Sequence, residues 1–207
     1  STMTSFGLGG EYRWRADGSR TNGVISDMGA HLIDFAHWYV GNITSVSAQL
    51  ATFLEVPGKD GGPITPTNDT ATVMLQFENG AQGLIKVSSV APRGDRWADQ
   101  NVQLFGDGGA LAITQIFFGP DANVTFTGVR RGDEKFGDIE VPESFFKGID
   151  KNELFDPYYK QAAGPRLFID AILDDAPIEP NFYHGWQVQL VIDSILESSK
   201  TGSWVEI

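Results

Sequence analysis

The sequence predicts an α+β fold: an open, mainly antiparallel sheet of about six to eight strands, with helices on one face. Three observations indicate this class. Residues 23–41 repeat their apolar positions every three or four residues, as a helix does. The period then falls to two over much of residues 45–141, and it becomes helical again after residue 157. Strands joined mostly by short turns pair antiparallel, and the flanking helices can cover one sheet face.

Composition is typical of one globular domain. The chain has 207 residues, of which 41% are hydrophobic, and it shows no repeat or linker, so we treat 1–207 as a single domain. A net charge of −12 disfavours nucleic acid and anionic membranes as partners. The absence of cysteine excludes disulfides. Without a recognisable signal peptide or membrane-length apolar run, we expect a cytoplasmic protein.

Residues 1–22 read as an extended lead-in to the first helix. Aromatic and basic residues alternate at 12–15, which indicates a short strand or ordered loop. The sequence Asp-Gly-Ser at 17–19 predicts a turn. Thr21 or Asn22 is placed to cap the helix that follows.

The helix predicted at residues 23–41 carries the candidate chemistry. Gly41 suits its end, and the apolar stripe comprises Ile25, Met28, Leu32, Phe35 and Tyr39. Asp27, His31 and Asp34 share another face by their spacing of four and three. A carboxylate one turn before a histidine can orient the ring, which can then transfer a proton near neutral pH.

The same three polar residues have two other interpretations. They can be an ordinary solvent-facing helix surface, or an Asp/His/Asp metal site. The metal site is disfavoured because His37 and His184 are the only other histidines and no further acidic cluster supplies ligands.

Strands are predicted wherever polar and apolar residues alternate, at 45–50, 69–77, 81–90, 102–105, 110–114, 124–129 and 139–141. Asn79-Gly80 predicts a tight hairpin between two of them, and 57–66 is a glycine- and proline-rich loop. In the segment 69–77 the apolar face is Ala71, Val73, Leu75 and Phe77. The opposite face, with Thr70, Thr72 and Met74, is polar but uncharged. It is either solvated or the contact surface of a homo-oligomer.

Two helices and a short strand complete the chain. The first helix is predicted at 158–173 with a stripe of Phe168, Ile172 and Leu173. The second is predicted at 184–200, with Val188, Val191, Ile192 and Ile195 facing inward. A last short strand is predicted at 204–207.

The pattern D-x-G-x-H-x-x-D at 27–34, preceded by Gly23 and by Trp-Arg-x-Asp at 14–17, resembles a known motif. It is similar to the substrate-domain helix of the glucose-fructose oxidoreductase/inositol dehydrogenase (Gfo/Idh/MocA) family. Weaker similarities to family segments follow in the right order, at 104–111, 168–172, 184–185, Ser194 and 202–205. The resemblance therefore spans nearly the whole chain, although Thr21 and Asn22 stand where the family commonly has glycines.

The resemblance implies that this chain is the substrate-binding and oligomerisation half of a two-domain enzyme. Family members join an N-terminal dinucleotide-binding domain to a C-terminal domain with an open, mainly antiparallel sheet. Neither the family's Glu-Lys-Pro lysine motif nor a phosphate-binding Gly-x-Gly-x-x-Gly loop is found here, and residues 7–10 lack the strand–helix context of such a loop. The resemblance therefore implies NAD or NADP in the full-length enzyme and no cofactor bound by this domain alone.

The implied activity is hydride transfer between a nicotinamide and a hydroxyl-bearing carbon of a sugar, a cyclitol such as inositol, or a related polyol. His31 would be the base that removes the hydroxyl proton, and Asp27 would orient it or hold a neighbouring hydroxyl. Further substrate-binding candidates are Asp34, Arg13, Trp14, Arg93, Trp97 and Tyr158. Two alternatives are a stand-alone oligomeric binding module and a metal-dependent isomerase or hydrolase.

Overall fold

The computed structural model describes residues 1–5, 11–92, 98–117, 122–146 and 163–207. It contains one nine-stranded sheet in the order β8-β7-β6-β5-β1-β4-β3-β2-β9. The strands are β1 (Thr2–Ser5), β2 (Ile43–Ala51), β3 (Thr70–Phe77), β4 (Gln82–Ser88), β5 (Ala98–Gly106), β6 (Gly109–Ile116), β7 (Asn123–Arg130), β8 (Gly137–Asp138) and β9 (Val205–Glu206). The predicted α+β class is confirmed, and two of the nine strands, β8 and β9, are only two residues long.

Strand β1 is the main departure from the predicted order of elements. The lead-in was expected to be merely extended, yet its first residues lie in the middle of the sheet, parallel to β4 and antiparallel to β5. The other strand pairs are antiparallel. Residues 14–16 form one turn of 3₁₀ helix, and a turn follows at 18–20, which overlaps the turn predicted at 17–19.

The helical segment at 23–41 has two parts. A π-helical turn spans Ile25–Gly29, and helix α1 spans Ala30–Tyr39. Because a π turn holds more residues than an α turn, it rotates the positions that follow. Ile33 is therefore fully buried, whereas Tyr39 at the end of the predicted stripe is 38% exposed and stacks on Phe35.

The core lies between the sheet and two helices, α1 and the long C-terminal helix α3 (Phe182–Thr201). The predicted inward face of β3, residues 71–77 in steps of two, is buried. The inward residues predicted for the last helix are also buried: Val188, Val191, Ile192 and Ile195. The two helices pack on each other and on β2 and β4, which fixes the start of α1 against the sheet.

Helix α3 is fixed at both ends. Asn181 accepts a hydrogen bond from the Tyr183 amide, and the His184 ring accepts one from the Asn181 amide, which completes a capping box. Gly202 ends the helix in the left-handed conformation, with a φ of 68°. His184 is thus a helix-capping residue.

Helix α2 (Ala163–Leu173) has an apolar surface that the described part of the chain leaves uncovered. Five of its side chains are more than half exposed: Leu167, Phe168, Ile169, Ile172 and Leu173. The predicted stripe is therefore present on the helix but is not buried against the described sheet. None of the described helices is long and apolar enough to cross a membrane.

Candidate functional site

A cavity of about 430 Å³ opens between the start of α1, the 3₁₀ turn and the loop that precedes β3. This volume lies within the range of small-molecule binding sites. Charged and polar lining residues come from the turn and the helix, including Arg13, Arg15, Asp27 and His31. An apolar part of the wall is formed by Leu54, Val56, Ile64 and Phe117.

Asn68 anchors the start of the helical segment beside this cavity. Its backbone oxygen accepts from the Val24 amide at 2.9 Å, and its side-chain Oδ1 accepts from the Ile25 amide at 3.1 Å. Its Nδ2 donates to the Asn22 carbonyl oxygen at 2.6 Å. These bonds satisfy amides that a helix start leaves unpaired, so Asn68 supplies a cap from 43 residues away in sequence.

Gly23 allows that close approach. Its φ is +79°, and an added Cβ would lie 2.4 Å from the Asn68 carbonyl oxygen. A side chain at this position would therefore meet both backbone strain and a steric clash.

His31 and Asp27 line the cavity together, as their spacing predicted. The carboxylate is not bonded to the imidazole in the described part of the chain. Instead, Asp27 Oδ2 accepts from Arg15 Nε at 2.9 Å. The guanidinium of Arg15 also lies 4.3 Å from the centre of the Trp14 ring, a cation–π contact. Trp14 therefore reaches the site through Arg15, which the sequence-based list of candidates omitted.

Asp69 is a second carboxylate of the cavity wall that the candidates did not include. It is 7% exposed, and its Oδ2 accepts from the backbone amides of Phe53 and Leu54 at 2.7 and 2.8 Å. Its Oδ1 is buried and has no partner among the described residues. These bonds fix the loop that forms one wall of the cavity to the start of β3.

Asp34 lies at a different cavity, of about 480 Å³, beside His37 and His184. The predicted three-residue face is therefore divided: Asp27 and His31 point to one site and Asp34 to another. Burial lowers the pKa of His37; the Gly41 backbone and the nearby charge of Asp34 oppose that shift, and His184 reinforces it. Both ring nitrogens of His37 are buried, and the backbone of Gly41 is a polar group beside the ring.

Three predicted substrate-binding residues, Arg93, Trp97 and Tyr158, lie outside the described residues. Of the remaining candidates, Arg13 lines the cavity. Within the described ranges, no group of three or more histidine, aspartate or glutamate side chains is arranged to hold a metal ion.

Comparison with known sequences gives a family match and a set of enzyme relatives. The family model described as the GFO/IDH/MocA C-terminal domain matches residues 1–112. Levoglucosan dehydrogenase from Pseudarthrobacter phenanthrenivorans is 25% identical over 215 residues, covering 90% of this chain and 52% of the relative. D-apiose dehydrogenase from Rhizobium rhizogenes is 26% identical over 101 residues, covering 48% of this chain and 26% of the relative. The chain thus spans about half the length of levoglucosan dehydrogenase.

Solved structures share the fold along the entire chain. Levoglucosan dehydrogenase in complex with NADH and levoglucosan matches with a TM-score of 0.80 and 23% identity, covering 100% of this chain and 58% of that one. An oxidoreductase domain protein from Kribbella flavida matches with a TM-score of 0.79 and 25% identity, covering 100% and 57%. Since the family model also covers more than half of the residues, this chain belongs to the GFO/IDH/MocA C-terminal domain family.

Proposed function

We propose that this chain is the substrate-binding domain of an NAD(P)-dependent oxidoreductase that acts on a sugar, a cyclitol such as inositol, or a related polyol. The main support is the placement of His31 and the Arg15-paired Asp27 at one cavity. The names of two relatives, levoglucosan dehydrogenase and D-apiose dehydrogenase, agree with a carbohydrate substrate.

In this proposal His31 takes the hydroxyl proton of the substrate. As the O–H bond breaks, its electron pair forms the carbonyl π bond, and the hydrogen on the same carbon leaves as hydride. A bound nicotinamide supplies the acceptor for that hydride. The proton therefore ends on the imidazole of His31, and one carbonyl compound is formed for each nicotinamide reduced.

Asp27 holds a substrate hydroxyl next to the reacting one. Asp27 lines the cavity, and its Oδ2 is already bonded to Arg15, so Oδ1 remains as an acceptor for the substrate. The Arg15 charge keeps the carboxylate fixed while it binds a neutral hydroxyl. Because Asp27 bonds to Arg15, the His31 ring keeps its nitrogen for the substrate.

The cofactor would be held mainly by a domain outside this chain. The described part of the sheet is almost entirely antiparallel and has no strand–loop–helix unit that opens on a glycine-rich turn, so it fits the substrate side of such an enzyme. A dinucleotide-binding domain in a longer protein would then supply NAD or NADP. Solved structures of one relative, levoglucosan dehydrogenase, contain NADH, which favours a nicotinamide cofactor. We also place the protein in the cytoplasm, where such cofactors are abundant.

The test is oxidation of a panel of sugars, cyclitols and polyols by the intact protein that carries this chain, followed by the absorbance of reduced nicotinamide. We expect saturable, NAD- or NADP-dependent turnover with at least one member of the panel. Saturable binding of panel members with no nicotinamide reduction would refute the redox assignment and leave a carbohydrate-binding module.

We further propose that the exposed face of β3 and β4 joins two copies of the protein. Met74 and Leu84 are directly paired neighbours there, 47% and 54% exposed, on the side away from the helices. Lys86, paired with Thr72, is the one charged residue that β3 and β4 place on this face. Adjacent apolar side chains on a sheet face with so few charges favour self-association. Light scattering of the intact protein should give an oligomer mass, and Met74→Asp with Leu84→Asp should reduce it to the monomer. A mutant with the unchanged mass would contradict this interface.

A further inference from the structure

The charged groups of the cavity differ in whether they have hydrogen-bond or ion-pair partners within the protein. Arg15 is bonded to Asp27 and stacked on Trp14. Asp69 accepts two backbone amides through Oδ2. Its other oxygen, Oδ1, is inaccessible to solvent, so a ligand cannot reach it without a rearrangement. Within the described residues, these two carboxylates and one guanidinium therefore already have defined roles.

Arg13 is the exception. Arg13 lines the cavity as an exposed residue, and its guanidinium has no hydrogen bond or ion pair with any described residue. Its backbone is fixed, because its carbonyl oxygen accepts from the Ala16 amide at 2.9 Å as part of the 3₁₀ turn. The base of the side chain is thus held in position at the wall that also carries Arg15.

An unpaired guanidinium in a cavity favours a negatively charged ligand. Its planar set of donors matches a carboxylate or a phosphate, and such charge-assisted pairs are stronger than bonds between neutral groups. The net charge of the whole protein adds to the importance of this one guanidinium. The protein as a whole has a net charge of −12, which repels anions at a distance, so a local cation is needed to hold one.

We propose that the substrate carries an anionic group, a carboxylate or a phosphate, which pairs with Arg13 while its reacting hydroxyl lies at His31. The substrate class is then a sugar acid or a sugar phosphate instead of a neutral sugar. The identification of this cavity as a substrate site rests on the proposed function. The charge preference rests on Arg13 and on the contacts that already hold Arg15, Asp27 Oδ2 and Asp69 Oδ2.

The experiment is calorimetric binding to the intact protein that carries this chain, with NADH present. The probes are D-glucose, D-glucuronate and D-glucose 6-phosphate. We expect at least one of the anions to bind about tenfold or more tightly than glucose, as one charge-assisted pair provides. Tighter binding of glucuronate identifies a carboxylate as the recognised group, and tighter binding of the phosphate identifies a phosphate.

Variants assign the preference to one residue. Arg13→Met keeps most of the side-chain stem and should lower the anion affinities at least about tenfold more than the glucose affinity, which abolishes the anion preference. Arg13→Lys should keep part of it, because the charge remains but the paired donors are lost. The matched control is Arg20→Met, since Arg20 pairs with Asp17 and does not line the cavity. Thermal unfolding of each variant checks that the fold is intact.

Two results would overturn the inference. One is an anion affinity no greater than that for glucose, and the other is an equal loss of all three affinities in Arg13→Met. The redox proposal fails separately. If Arg13→Met selectively removes anion binding but the intact protein oxidises no sugar, the charge preference stands without the dehydrogenase. If sugars are oxidised but anions bind no more tightly than glucose, the dehydrogenase proposal stands and the charge preference of Arg13 is refuted.

Discussion

Replacing Asn68 by alanine tests how the start of the helical segment is held at the cavity. The substitution removes two side-chain hydrogen bonds, one accepted from the Ile25 amide and one donated to the Asn22 carbonyl oxygen. The bond from the Val24 amide to the Asn68 backbone oxygen remains possible. At about 1 kcal/mol for each lost bond, the free energy of unfolding should fall by about 2 kcal/mol.

The assay is urea denaturation of the 207-residue chain. A lower denaturation midpoint with an unchanged m-value shows that the variant has lost stability. For a chain of this size, a loss of about 2 kcal/mol lowers the Tm by about 4–8 °C. Asn68→Asp keeps the acceptor and loses the donor, so about half of the effect should remain. The matched control is Asn22→Ala, which makes the same chemical change but keeps the backbone carbonyl that accepts from Asn68.

A stability of Asn68→Ala within about 0.5 kcal/mol of the Asn22→Ala control would refute the reasoning. The two asparagines would then be equivalent, and the long-range cap would contribute nothing measurable.

Two further predictions concern buried polar groups. Ser198→Ala should cost about 1–3 kcal/mol, because the buried hydroxyl accepts from the Ala48 amide and donates to the Ser203 carbonyl oxygen; the control Ser203→Ala should be near neutral, and equal stabilities would contradict this role. Burial holds the pKa of His37 below its usual value, although the Gly41 backbone and Asp34 oppose the shift, so the unfolded chain binds the proton more readily. The free energy of unfolding should therefore fall as the pH drops below about 6.5. In His37→Phe it should fall less between about pH 7 and pH 5. Parallel curves of stability against pH for the wild type and the variant would contradict this role of His37.

The hairpin of β3 and β4 is a part of the fold that could be predicted from the sequence. Strict alternation marked the buried face of β3, and Asn79-Gly80 marked the turn, where Gly80 has a φ of 84°. Both signals are local, so no knowledge of distant residues was needed.

Strand β1 could not be found in this way. Its sequence, Thr-Met-Thr-Ser, is short and mostly polar, and its partners are β4 and β5, about 80 or more residues away. Its central position is decided by pairing with those strands. For helix α2 the apolar stripe could be predicted from the sequence. Whether that stripe is buried could not, because burial depends on what covers the helix.

In the candidate site too, the local relationship could be predicted from sequence and the long-range contacts could not. The spacing of Asp27 and His31 predicted that they share a face, and both line the cavity. That Asp27 bonds to Arg15 could not be read from helix spacing, because it depends on how the 3₁₀ turn folds back over the helix start. Asn68 and Asp69 were missed because their contacts cross long stretches of chain.

The central claim is that His31 is the proton acceptor in a nicotinamide-dependent oxidation, and kcat/KM of the intact protein with His31→Gln tests it most directly. His184→Gln is the matched control, since glutamine at that position keeps the capping box of α3. The account predicts that His31→Gln lowers kcat/KM by about 10²–10⁴-fold with unchanged NADH affinity, while His184→Gln stays near the wild-type value. Near-normal turnover of His31→Gln would contradict it.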